Sequence, residues 1–185
     1  MKLYAMKSYA EKLIELTERH AEAIARQWWS NIKMNPRTPA YHTIPEDIAI
    51  RQAVEFYTKF RHLFYSENPF EEANVIFAKF AEDRYRENIP LSQVVYALVL
   101  MRRHLWLFAE NQATFVTPIE MHQAAESLSR TILMFDYAIF IVISTYDELL
   151  RKEIDEKFKQ LNMKNPFEMR NRLPEQPSGE QRKTM

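Results

Sequence analysis

The chain contains 185 residues, of which 46% are hydrophobic and 27% charged. This length and composition suffice for one domain with a substantial apolar core. Lysine plus arginine equals aspartate plus glutamate at 25 each, so we expect neither nucleic acid nor an anionic membrane as a partner. There is no cysteine, and the only glycine is Gly179. This excludes disulfides, thiolate metal sites, and the phosphate-binding loops and nucleophile elbows that need glycine.

Five helices are predicted, because apolar residues recur every three or four positions between breaks at proline and asparagine. The prolines in PRTPAYHTIP, which follows the first helix, favour an extended loop. No strand pattern stands out, so the predicted fold class is all-α. The helices are expected from about Ser8 to Met34, Thr43 to Asn68, Phe70 to Glu87, Leu91 to Asn111, and Thr117 to Asn162. Residues 1–162 would then form the helical domain, and 163–185 a flexible polar tail.

The last helix contains the apolar block ILMFDYAIFIVI, residues 132–143, with Asp136 at its centre. The block is shorter than the roughly 20 residues of a membrane-spanning helix, and a central carboxylate opposes insertion. We therefore expect no membrane span. Apolar residues recur along this helix in alternating steps of four and three, which is a heptad pattern typical of a dimer. The predicted dimer interface consists of Ile132, Phe135, Ile139, Val142, Tyr146 and Leu149.

Asp136 needs a polar partner if it is buried, because an isolated buried carboxylate is driven to protonate. If the last two helices form an antiparallel hairpin that turns near Phe115, Asp136 lies at the level of Val94. Arg102 would then lie roughly 12 Å away along the helix axis. We therefore expect the partner on the first helix or at Ser92, Gln93 or Tyr96.

Candidate ligand-binding residues are Trp28, His104, Trp106 and Asp136, which would line an apolar pocket for a small ligand. His104 in MRRHLWLF also suits an axial ligand of haem, so a haem-binding carrier is the alternative hypothesis. Neither Glu-x-x-His pairs nor His-Glu-x-x-His occur, so no metal site and no catalytic residue is expected. We therefore expect that the protein is not an enzyme. The absence of a signal-peptide pattern at the N terminus indicates a cytoplasmic location.

Three stretches carry a resemblance to a known family: RHAEAIARQWW, TPAYHTIP and FAEDRYRENIPLSQVVYALVLMRRHLW. They resemble the N-terminal sensor domain of the RsbT co-antagonist family, regulators of a bacterial stress-signalling complex, over roughly residues 10–150. The resemblance implies a globin-like fold without haem, a structural role for His104, a homodimer, and an input module. Because no output domain follows here, we expect either a separate output protein as partner or an input domain that stands alone. The expected function is a sensory or regulatory module that passes a signal through the dimerising last helix.

Overall fold

The structure is a computed structural model that describes residues 13–112 and 117–164. Within these residues the chain forms α-helices and one short 3-10 helix and no strand, which confirms the predicted all-α class and the long last helix. The elements are α1 (residues 13–19), α2 (Ala21–Ile32), η1 (Pro39–Thr43), α3 (Glu46–Tyr65), α4 (Pro69–Arg86), α5 (Leu91–Asn111) and α6 (Pro118–Lys164). The first two residues of the predicted tail, 163 and 164, belong to α6, and the rest of that tail lies outside the described residues.

Two local predictions about the first third of the chain were wrong. The predicted single first helix is interrupted at His20, whose backbone (φ −120°, ψ 18°) leaves the helical region between α1 and α2. The proline-rich loop is not fully extended, because its second half winds into η1. Pro39 occupies the first position of η1, where its fixed φ suits a helix and its missing N–H costs nothing.

The breaks between the other helices follow the predicted chemistry. Pro45 and Pro90 precede α3 and α5 with extended backbone (ψ 139° and 138°), and Pro69 is the first residue of α4. After α4, Asn88 takes a positive φ of 56°, a conformation in which asparagine replaces the more usual glycine. The N–H of Ile89 then donates to the Arg84 carbonyl at 3.1 Å and closes the helix end.

The core is aromatic and lies between α2, α3, α5 and α6. Helix α2 packs on α3 and α5, and α3 packs on α4. At the centre, the Phe135 ring of α6 lies 5.7 Å from the Phe56 ring and 4.9 Å from the Phe60 ring, both of α3. Two buried polar groups tie helices together: Tyr57 Oη donates to the Met101 carbonyl at 3.0 Å, and Trp28 Nε1 donates to the Ala97 carbonyl at 3.1 Å.

The chain divides into two compact units, Met1–Asp147 and Glu148–Met185. The first unit contains the helical core. The second contains the last part of α6, in which the described side chains of residues 150–161 are exposed. The predicted division after residue 162 separates a helical domain from a tail, whereas the division after Asp147 lies within α6. The predicted division stays a prediction.

Candidate functional site

Half of the predicted dimer interface belongs to the core of the chain itself. Phe135 and Val142 are fully buried and Tyr146 is 3% exposed. Tyr146 Oη donates to the Ile89 carbonyl at 2.9 Å, and burial raises the pKa of this hydroxyl, which stays a neutral donor. The structure therefore places these three side chains inside the fold rather than on a surface that a second copy can reach. Ile132 and Ile139 in the first unit, and Leu149 in the second, are partly exposed.

A second apolar stripe on α6 is exposed instead, displaced by one residue from the predicted one. It consists of Leu133, Asp136, Phe140 and Ile143, which recur in steps of three, four and three; we call it the outer face. Leu133 and Ile143 are each 44% exposed and Phe140 is 59% exposed. One residue along a helix is a rotation of about 100°, so the two stripes are neighbours in sequence but point in different directions.

An aromatic side chain of α4 extends the apolar surface beside the outer face. The Phe70 ring lies 5.2 Å from the Tyr137 ring and 6.1 Å from the Phe140 ring. Phe70 is itself more than one third exposed. The outer face is therefore part of a patch that spans two helices, and contiguous exposed apolar patches of this kind mark contact surfaces.

Asp136 is neither buried nor paired where the sequence predicted. Its side chain is 58% exposed, and Oδ1 lies 3.3 Å from Arg102 Nη1 on α5. The expected partners are engaged elsewhere: Gln93 Oε1 accepts from the Ala40 N–H, and Tyr96 Oη accepts from Arg37 Nη1. The level-matching, which set Arg102 roughly 12 Å from Asp136, was therefore wrong.

Of the four predicted ligand-binding residues, Trp28 lines an inner cavity that the other three do not share. Trp28 is buried and lines a small inner cavity of about 20 Å³, with Tyr41 and Met101. His104, Trp106 and Asp136 line neither this cavity nor the cleft between α3 and α4 described below.

The predicted haem ligand His104 is half-buried on α5. Burial, with a smaller contribution from the Arg103 charge, lowers the pKa of its imidazole. Its Nε2 atom and the Nε1 atom of Trp106 are buried without a hydrogen-bond partner in the described part of the chain. Residues 13–112 and 117–164 contain no cluster of three or more His, Asp or Glu side chains that could hold a metal ion.

The second unit carries exposed apolar residues of its own on α6. Leu150, Ile154, Phe158 and Leu161 are each between 46% and 64% exposed and follow in steps of four, four and three. Charged residues lie between them, and Lys157 Nζ is 2.6 Å from Glu153 Oε1. Sparse apolar positions between opposite charges are typical of a helix that pairs with another helix.

One stretch of α6, Ala124–Leu161, is long and apolar enough to cross a membrane by length and composition. Of its most apolar 18-residue window, 33% is buried inside the structure. Core helices satisfy the same criteria, so this is weak support for a membrane span. The absence of a span stays a prediction.

The outer face was missed by the sequence reasoning, although its signal was present. Leu133, Phe140 and Ile143 repeat with the same period as the predicted interface, and the period alone does not identify the buried stripe.

No protein-family model, curated protein or solved structure matches this chain. The resemblance to the RsbT co-antagonist sensor domain therefore stays a prediction.

Proposed function

We propose that this chain is a non-enzymatic regulatory module that pairs with a second copy through the outer face of α6 and signals to a separate output protein. The supporting observation is the exposure of Leu133, Phe140 and Ile143 on a helix whose opposite side forms the core. Burial of these side chains against a second copy would release apolar surface from water, which is the main driving force of association.

The charges of the outer face favour a second copy as the occupant. Asp136 and Arg102 form a partly exposed pair of opposite charges at 3.3 Å. A twofold dimer brings the same patch together from both chains, so each carboxylate can meet the guanidinium of the other copy. The hydrocarbon of a membrane would instead have to receive both charges, at a cost of several kcal/mol.

The second unit would extend the pairing. Its exposed apolar residues Leu150, Ile154 and Leu161 lie among mixed charges, the composition of a helix that associates in parallel or antiparallel pairs. In the proposed mechanism the signal shifts the population between two packings of the paired α6 helices. A partner protein would read the packing through the second unit. This function agrees with the input-module role that the family resemblance implies.

The first test is sedimentation velocity of the full chain and of Phe140→Asp at tens of micromolar. We expect the wild type to be a dimer. Because each copy loses one buried aromatic contact worth roughly 1.5–3 kcal/mol, the twofold interface should weaken by about two to four orders of magnitude. The variant should therefore be a monomer with an unchanged helical circular dichroism spectrum, since Phe140 is 59% exposed and its ring contact is with Phe70, which is also exposed. Phe140 is preferable to Ile139 as the test position, because Ile139 packs partly against the core.

Val75→Asp is the matched control, since Val75 is an apolar residue of α4 that is 75% exposed. It should leave the dimer intact. A wild type that sediments as a monomer, or a Phe140→Asp variant that dimerises as well as the wild type, contradicts the proposal. Flotation of the wild-type chain with vesicles of neutral phospholipid would also contradict it and would identify α6 as a membrane segment.

A further inference from the structure

A cleft of about 170 Å³ opens between α3 and α4, and its lining residues all belong to these two helices and not to α6. Its base is aromatic, formed by the buried rings of Phe56 and Phe77 and the partly buried ring of Phe80. Ile76 lies along one side. A buried apolar cavity of about 150 Å³ is large enough to hold a benzene molecule. The cleft therefore has the volume and the lining for a single aromatic ring.

A buried cation lines the same cleft. The Arg84 side chain is only 4% exposed, and its guanidinium carbon lies 5.5 Å from the centre of the Phe80 ring. Nη1 donates to Gln52 Oε1 and Nη2 to Glu87 Oε1, each at 2.8 Å. The Nε–H is buried without a hydrogen-bond partner in the described part of the chain. An unsatisfied buried donor on a charged group is costly, and such donors often belong to a binding site.

Most of the other charged groups at the cleft are paired with one another. Glu55 is neutralised by Lys59 at 2.6 Å, and Asp83 by Arg86 at 2.9 Å. Lys79 also lines the cleft and forms no ion pair within the described ranges. The Arg84 guanidinium is itself paired with Glu87, so the donors left for an anion are the Arg84 Nε–H and the exposed Lys79 ammonium.

The cleft adjoins the inner cavity that Trp28 lines, because both share Gln52, Phe56, Phe80 and Arg84. The inner cavity, at about 20 Å³, has room for one water molecule only. The outer cleft therefore sets the size of a ligand, and Arg84 lines both cavities.

We infer that this cleft binds a small aromatic carboxylate, with its ring between Phe56, Phe77 and Phe80 and its carboxylate accepting from Arg84 Nε. Guanidinium donors are well suited to carboxylates because their charge-assisted hydrogen bonds are strong and directional. The aromatic base disfavours a purely polar anion, and the unpaired Arg84 Nε–H favours a carboxylate over a neutral ring. This site is separate from the outer face of α6 and does not depend on the proposed dimer.

The test uses 4-fluorobenzoate and the full chain, with fluorine NMR to detect binding and titration calorimetry to measure affinity. We expect saturable binding of 4-fluorobenzoate, and binding of the neutral 4-fluorobenzamide that is about ten- to a hundredfold weaker, as loss of a charge-assisted hydrogen bond predicts. Arg84→Gln should weaken 4-fluorobenzoate binding by a similar factor. Lys79→Gln should weaken it by up to about fivefold, because a charge at the rim contributes little.

Ile76→Trp provides a second variant, since a bulky ring at the half-buried side of the cleft should abolish binding even if Arg84→Gln fails to fold. Lys159→Gln, an exposed lysine of α6, is the control that should leave affinity unchanged. The inference is overturned if millimolar 4-fluorobenzoate does not bind, if the benzamide binds equally well, or if folded Ile76→Trp binds as the wild type does. A monomeric wild type that binds 4-fluorobenzoate would contradict the proposed function while supporting the cleft.

Discussion

Replacement of Tyr146 by phenylalanine distinguishes a core role for this residue from a role in a dimer interface. Tyr146 is 3% exposed, and its hydroxyl donates to the Ile89 carbonyl at 2.9 Å. Ile89 lies between α4 and α5, outside any helix, so its buried carbonyl has no helical donor to replace the tyrosine. A buried acceptor left unsatisfied costs about 1–3 kcal/mol.

Tyr146→Phe should therefore lower the free energy of unfolding by about 1–3 kcal/mol. For a chain of this size, each kcal/mol corresponds to a fall of roughly 2–4 °C in melting temperature, so a decrease of about 2–12 °C is expected. The assay is urea unfolding followed by circular dichroism at two protein concentrations tenfold apart. The difference between variant and wild type should be the same at both, because a core hydrogen bond is lost whatever the state of association.

Tyr137→Phe is the matched control on the same helix. Tyr137 is partly exposed and stacks edge-on against Phe70, and its hydroxyl makes no hydrogen bond to the described residues. Its loss should change stability by no more than about 0.5 kcal/mol. If Tyr146→Phe instead unfolds like the wild type and weakens self-association, the core assignment fails and the sequence-based interface is correct.

Two other positions yield predictions of different kinds. Thr38 is fully buried, and its Oγ1 donates to the Ile32 carbonyl at the end of α2 at 2.9 Å. Thr38→Val should lower the free energy of unfolding in urea by about 1 kcal/mol or more, whereas Thr38→Ser keeps the hydrogen bond and most of the stability. Equal losses in the two variants would contradict this role of the hydroxyl. The lowered pKa of His104 means that protonation favours the unfolded chain, so its contribution to stability is complete above the unfolded pKa of about 6.5 and is lost as pH falls below it. Unfolding midpoints measured between pH 5 and 8 should fall towards acid for the wild type and fall less for His104→Gln; parallel pH profiles would show that His104 does not carry the effect.

Much of the helical architecture is a local property of the sequence. Proline and asparagine end or begin helices because of their backbone geometry, so the limits of α4 and α5 were predicted within a residue or two. The long apolar repeat of α6 predicted one extended helix, which Pro118–Lys164 confirms. The sequence also excludes some kinds of site, because no fold can supply a cysteine thiolate or a glycine-rich loop to a chain that lacks these residues.

The tertiary structure decided which side of each helix faces the core. Phe135 and Phe140 have the same hydrophobicity, and both fit a heptad period. Phe135 is buried because it packs against Phe56 and Phe60 of α3, whereas Phe140 lies on the outer face and is exposed. Long-range packing likewise paired Asp136 with Arg102 and buried Arg84 beside an aromatic cleft, two placements that no local pattern indicates. Helical period is determined by neighbours along the chain, whereas the direction in which a stripe points is determined by residues that are distant in sequence and adjacent only after folding.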